Sequence, residues 1–370
     1  MKKTLRRIRH FLAMFLGLTL LTGCWDQRPI EQRAIVVAIG VSAHDRWTFL
    51  FPNVAVTASS LSSLGETKQF YAIEVHAPSY TVALHRVQLQ SSRQVSMGDL
   101  EVIDVSSDLT GSQLSRIVDA MTLSGSVPSQ VWLTASQTSP SMLVMQHPPQ
   151  TIVPVYYLSS YFSCHGCHAA GYGVRAWEWW DQWETPGVSP ILPMFTPTAQ
   201  GAAVRQMLVY GGHGAPRLMP RTVTEGYAYL TGKVHSGTLR ILVDGQPFVI
   251  TPIVGQASSQ VRLTPTTVDV RVTLHAQGEM QMADMRPGII LTPAIERAVD
   301  QAAGRRLVQL SLAAIDWANH THTDPFGYAK RAAWFQTAVA QSIPPQQLVT
   351  LPIDAQVMAQ VVVQGEGLVR

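Results

Sequence analysis

Apolar positions recur along this chain with two different periods, and the changes of period mark its elements. Residues 35–41 (IVVAIGV) form a short apolar run that predicts a buried strand. The turn-forming cluster at 42–46 and the apolar stretch at 47–56 make the pair a predicted hairpin. A serine-rich loop is expected over 57–65 and a third strand over 71–75. Pro78-Ser79 opens a helix to about Ser91, with Tyr80, Ala83, Leu84 and Val87 on one face. A strand at 99–105, an amphipathic helix at 113–123 and a strand at 130–136 follow, the helix striped by Leu114, Ile117, Val118 and Met121.

From 147 to 214 the periodicity fades while Pro, Gly, Trp and Tyr become dense. This reads as a connecting region with one short helix over about 174–184. Regular patterning resumes near 222, with short strands expected at 226–230, 238–243 and 246–253. Val268, Val270, Val272 and Leu274 then alternate with polar residues, as on a half-buried strand. Thr292 is an N-cap with Pro293 at the first helical position. The helix it opens carries Ile295, Val299, Ala302, Leu310, Ala314 and Trp317, and a last strand is expected at 355–364. The fold class is α+β, with mixed sheets and packed helices in two to three domains after a cleaved signal. The expected boundaries are 1–23 for that signal, 24–214 for an N-terminal α/β domain with the connecting region from about 147, and 222–370 for a C-terminal α+β domain.

The first residues explain the signal. Lys2, Lys3, Arg6, Arg7 and Arg9 make a basic start, and residues 11–21 are apolar but shorter than the roughly 20 residues a membrane span needs. Leu21-Thr22-Gly23-Cys24 resembles the bacterial lipobox, which implies a diacylglyceryl group on Cys24. Two acyl chains hold a protein to a bilayer where one holds it weakly. No later segment has 18 consecutive apolar residues, so the expected attachment is lipid, on the outer face of the cytoplasmic membrane. Charge excludes another class of partner. Of the 27 Lys and Arg, five lie in the first 23 residues, leaving 22 against 24 acids; nucleic acid is not an expected partner.

With Cys24 assigned to lipid, Cys164 and Cys167 remain, too few for a disulfide scaffold. Cys164-His165-Gly166-Cys167-His168 has the form of a c-type haem attachment site. It also reads as a local disulfide, as two free thiols, or as a metal site using His165 or His168. Zinc would want four ligands, and only His213 is on offer at a distance. The disulfide or free-thiol reading is favoured, with no cofactor and no metal assigned. His320-Thr321-His322-Thr323-Asp324 could pair histidines on a metal, but a helix end favours them as caps. Asp324 is expected to cap a local turn, Phe326 to be buried, and Gly327 to supply an unusual backbone angle. Trp177, Trp179, Trp180 and Trp183 crowd one segment, where Trp177 and Trp180 share a helical face with Trp183 near it, for packing or for a half-wet interface. No Gly-x-Ser-x-Gly elbow, His-Glu-x-x-His or phosphate loop occurs, so no catalytic residue is assigned and an enzyme is not expected.

Leu21 to Cys24 followed at once by Trp25-Asp26, then Glu31, then an apolar strand ending at Gly40, resembles the start of the spore germinant-receptor C-subunit lipoproteins. Asp324-Pro325-Phe326-Gly327-Tyr328 after the long helix, Trp334, and the glycines of Gly226-Tyr227-Ala228 and Gly237-Thr238-Leu239 resemble later parts of the same family. Met97-Gly98-Asp99-Leu100 departs from the family's aromatic-x-His-Leu run. The resemblance implies a membrane-anchored receptor subunit acting in spore germination through assembly or signal relay. The implied partners are two integral membrane subunits, in the inner spore membrane. Two rival readings come from the residues: an exported c-type haem electron carrier, and a solute-binding lipoprotein.

Overall fold

Val36 and Val37 decide how the chain enters the fold. In the computed structural model, which describes residues 29–53, 70–137, 139–140, 153–164, 173–198, 201–212, 214–281 and 292–364, the expected strand 35–41 is split at these two residues. β1 (Arg33–Ile35) runs before them and β2 (Ala38–Val41) after. Val36 N–H donates to Ser96 O and Val37 N–H to Leu50 O, so consecutive amides bind different neighbours and the strand must break.

β3 (Arg46–Pro52) returns antiparallel to β2 as the expected hairpin, and β4 (Phe70–His76) pairs with β3. α1 (Tyr80–Gln90) begins where Ser79 Oγ accepts from Val82 N–H, and it buries Tyr80, Ala83 and Val87. β5 (Gln94–Ser96), which sequence patterning missed, lies parallel to β1 as a separate two-stranded sheet. β6 (Val102–Ser106) is followed by α2 (Gly111–Leu123), which opens with a capping box between Thr110 and Gln113. β7 (Trp132–Ser136) closes this block. The expected loop at 57–65 lies outside the described residues.

Where it is described, the region from 147 to 214 is regular structure rather than a connector. It holds α3 (Pro154–Ser163), β8 (Val174–Arg175), α4 (Ala176–Glu184), β9 (Ile191–Thr198) and β10 (Gly201–Val209). With β11 (Arg217–Met219), its strands extend a nine-stranded sheet of order β11-β10-β9-β7-β6-β2-β3-β4, with β8 also on β7. β2, β6, β7 and β9 run parallel and the flanking strands antiparallel. Prolines disguised β9. Pro197 sits beyond Phe195, the last β9 residue paired with β7, where a missing N–H costs little.

The expected strand 226–230 is a helix, α5 (Arg221–Leu230). Tyr and Val suggested a strand, but Val223, Tyr227 and Leu230 recur at helical spacing and all are buried. Tertiary packing overrides propensity here. β12 (Val234–Val243), β13 (Gln246–Leu263), β14 (Val268–Met280) and β15 (Ile353–Gln364) form a second sheet in that order. β13 runs ten residues past its expected end, because Ser258, Ser259 and Gln260 pair with β14 despite their polarity. α6 (Pro293–Thr321), capped by Thr292 as expected, crosses from β14 to β15, which pair in parallel. It packs along β15 and β12 and against α5. α7 (Tyr328–Phe335) follows. Among the described residues no helix is long and apolar enough to cross a membrane.

Candidate functional site

The best-built polar constellation lies where α6 ends. A helix terminus leaves carbonyls without partners, and a left-handed residue is the usual way to turn the chain back onto them. His322 takes that conformation, with φ of 53°, and Thr323 N–H donates to Ala318 O at 3.0 Å. His320 Nδ1 lies 2.6 Å from Asp316 O, on its own helix. Both histidines therefore serve the helix end, and Asp324 turns away from them.

Asp324 is 1 % exposed. Its Oδ1 accepts from Phe326 N–H at 3.1 Å and its Oδ2 from Ala329 N–H at 2.7 Å. Its own N–H donates to Ser189 Oγ at 3.0 Å, and its carbonyl accepts from Ser189 N–H at 2.8 Å. Asp324 is thus more than a local cap, because it stitches the turn before α7 to residue 189, just ahead of β9. Burial pushes its carboxyl up to about 6 against the pull of the surrounding backbone N–H groups. Gly327 has φ of 67° as expected and lets α7 begin. Phe326 is half-buried rather than buried, lying between Tyr227 at 5.7 Å and Tyr328 at 5.1 Å. Lys330 continues the seam: its N–H donates to Gly187 O at 2.9 Å and its Nζ pairs with Asp181 at 3.0 Å. A cleft of about 270 Å³ opens beside the seam, between Pro190 and Tyr210 on one side and Pro345 and Val349 on the other.

Asp104 is a group that sequence patterning passed over. It sits in the middle of β6 and is fully buried. Strand register aligns it with Gly40 and Thr48 on one side and Thr134 on the other, with Glu74 beyond Thr48. Thr134 Oγ1 donates to Asp104 Oδ1 at 2.8 Å, while Oδ2 has no hydrogen-bond partner. Burial raises its pKa to about 7, with the Thr134 and Ser136 hydroxyls opposing the shift. The available signal was a lone acid inside the apolar run Val102-Ile103-Asp104-Val105.

Because the folded chain holds that proton more tightly than the unfolded chain, Asp104 costs stability as pH rises from about 4 to about 7. The full cost, reached above pH 7, is bounded at ~4 kcal/mol by the size of the shift. Asp104→Asn removes the titration, so its melting temperature should exceed the wild type's at pH 8 and lose that advantage at pH 4. Parallel melting curves across pH for the two proteins would show no crossover if Asp104 were ionised at no cost.

The tryptophan-rich helix divides differently from its expected stripe. Trp179 is the fully buried member, stacked on Trp183 at 5.5 Å and edge-on to Tyr210 at 5.4 Å. Trp177 and Trp180 remain 47 % and 41 % exposed, Trp180 anchored by a 2.6 Å hydrogen bond to Asp119. Cys164 is disulfide-bonded. A cysteine so bonded has no thiol left for a haem thioether. Cys24, Trp25, Asp26, His165, Cys167, His168 and His213 also lie outside the described residues. Among the described residues no three of His, Cys, Asp or Glu converge as a metal site.

Among the described residues the site is a polar seam with an exposed aromatic surface at Trp177 and Trp180. Residues 26–197 match the family model described as the spore germination protein N-terminal domain. The fold matches a crystal structure described as the GerBC protein, with a TM-score of 0.56 and 10 % sequence identity, covering 86 % of this chain and 93 % of that one. No curated protein sequence matches significantly. The fold is of the mixed α+β class that the GerBC structure shares. The chain thus carries a region similar to that N-terminal domain, on a fold similar to that of the GerBC structure.

Proposed function

We propose that this chain is the lipid-anchored, non-enzymatic subunit of a nutrient-germinant receptor. It is held at the outer face of the inner spore membrane through Cys24, and it acts through contacts with two integral membrane subunits. The observation that carries this reading is the domain match over 26–197, joined to the GerBC fold. The short tether supports it. Only residues 25–32 separate Cys24 from β1, so the first strand would begin within about 32 Å of the acylated cysteine. The half-exposed Trp177 and Trp180 supply the kind of apolar, polar-tipped surface that partners bind. Cys167 is the natural partner for the disulfide of Cys164, which leaves the Cys24 thiol free for lipid.

Two experiments test the reading at different levels. Cys24→Ser should move the processed protein from the membrane fraction to the soluble one; equal flotation with vesicles before and after the substitution rejects the anchor. Deleting the gene in a spore former should abolish or slow germination with at least one nutrient. Unchanged germination across a broad nutrient panel rejects the receptor role itself.

A further inference from the structure

A groove of about 490 Å³ runs between β12 and the middle of α6, far along the chain from the seam. Arg240 on the exposed face of β12 lines it together with Arg305, Arg306 and Gln309 of α6. Leu242 and Pro247 contribute apolar wall, and Leu242 is 69 % exposed. Among the described residues none of the three guanidinium groups has an ion pair or a hydrogen bond.

The helix itself does nothing to neutralise them. From residue 299 to 312 the sole acid is Asp300, and its Oδ1 already accepts from Val363 N–H at 2.9 Å. At the i±3 and i±4 positions around Arg305 and Arg306 stand only Gln, Ala, Val, Leu and the like, so no helical salt bridge can form. Both arginines lie near the centre of a 29-residue helix, beyond reach of the partial negative charge at its C-terminus. Two adjacent cations on one helix repel each other, and Arg240 brings a third to the same groove. Past residue 23 the chain carries 22 basic against 24 acidic residues, so such a local excess is not a reflection of overall charge.

We propose that this groove binds a phosphate-bearing anion, with Arg240, Arg305 and Arg306 as its ligands. Guanidinium forks suit tetrahedral oxyanions, and three of them match a multiply charged phosphate better than a single carboxylate. The apolar wall at Leu242 and Pro247 would receive the organic part of the ligand. A soluble phosphate and a phospholipid headgroup share this chemistry, and the test separates them. The site does not rest on the anchor at Cys24.

The full-length protein in neutral detergent is melted at constant ionic strength in two series. One adds inorganic phosphate; the other dopes the micelles with phosphatidylglycerol, with phosphatidylcholine as the control. A rise of about 3 °C in either series is expected for the wild type and should be lost in the triple variant R240Q/R305Q/R306Q. The first series reports a soluble ligand, the second a headgroup. R305Q alone, at an exposed position, guards against misfolding of the triple variant and should lose most of the shift. The proposal is overturned by no shift in either series, by a shift that chloride reproduces, or by one that the variants retain.

Discussion

Valine at position 226 should lower the stability of this protein by about 4 kcal/mol, more than most core truncations would. Gly226 lies on α5 where that helix crosses α6, and a Cβ built there would run into the carbonyl oxygen of Leu310, with Ala314 Cβ only 3.1 Å away. A backbone carbonyl in mid-helix cannot move aside as a side-chain tip can. The two helices would have to separate, opening the apolar layer formed by Val223, Tyr227, Leu310 and Ala314. Alanine should also destabilise, by less, because its gain of about 1 kcal/mol in helix propensity offsets part of the clash. Gly304 supplies the control. It sits in α6 itself, but a Cβ there meets Ala359 O at 3.5 Å and Val361 Cγ2 at 3.9 Å, ordinary contacts. Gly304→Ala should therefore be neutral or stabilise by up to about 1 kcal/mol. Denaturant unfolding of the three variants decides the matter; equal effects at 226 and 304 would mean that helix propensity, not close approach, governs both glycines.

Asp324→Ala should cost ~3 kcal/mol. It leaves the buried N–H groups of Phe326 and Ala329 without acceptors, and each such orphan costs about 1–3 kcal/mol. The bonds from Ser189 are to the backbone of Asp324, so they survive the substitution in principle but lose the fixed turn that aims them. Asp324→Asn should fall between alanine and wild type. It keeps one oxygen for one amide but turns an NH₂ group toward the other. Hydrogen exchange gives the sharper readout: the amides of Phe326 and Ala329 should exchange much faster in Asp324→Ala, and so should Lys330, whose N–H is held by Gly187 O. Retained protection at all three would remove Asp324 from its role in the seam.

Local signals were legible in the sequence because they depend on neighbours in the chain. Ser79 and Thr292 stand at helix starts since their oxygens need only an amide three residues on. Gly327 could be expected at a positive φ for the same reason. The N-terminal pattern from Cys24 to Gly40 and the Asp324–Tyr328 block pointed to the germinant-receptor C-subunit family, and the domain and fold matches support it. Failures came where distant partners set the outcome. Nothing in the alternation of 35–41 says that Val36 and Val37 bind different strands. Pro193 and Pro197 hid a strand that pairs with β10 at both positions.

The same division holds for the candidate site. Residue types and spacing by themselves determined an Asp-x-Phe-Gly turn after a long helix, and offered a lipobox-like cysteine as an expectation. Only the tertiary structure decided that Asp324 reaches across to Ser189, that Asp104 is buried in the large sheet, that Trp179 rather than Trp177 or Trp180 packs inside, and that Arg240 joins Arg305 and Arg306. The physical reason is range. Capping and turn chemistry act within a few residues, whereas desolvation and charge clustering depend on what the fold brings together from positions tens to more than a hundred residues apart.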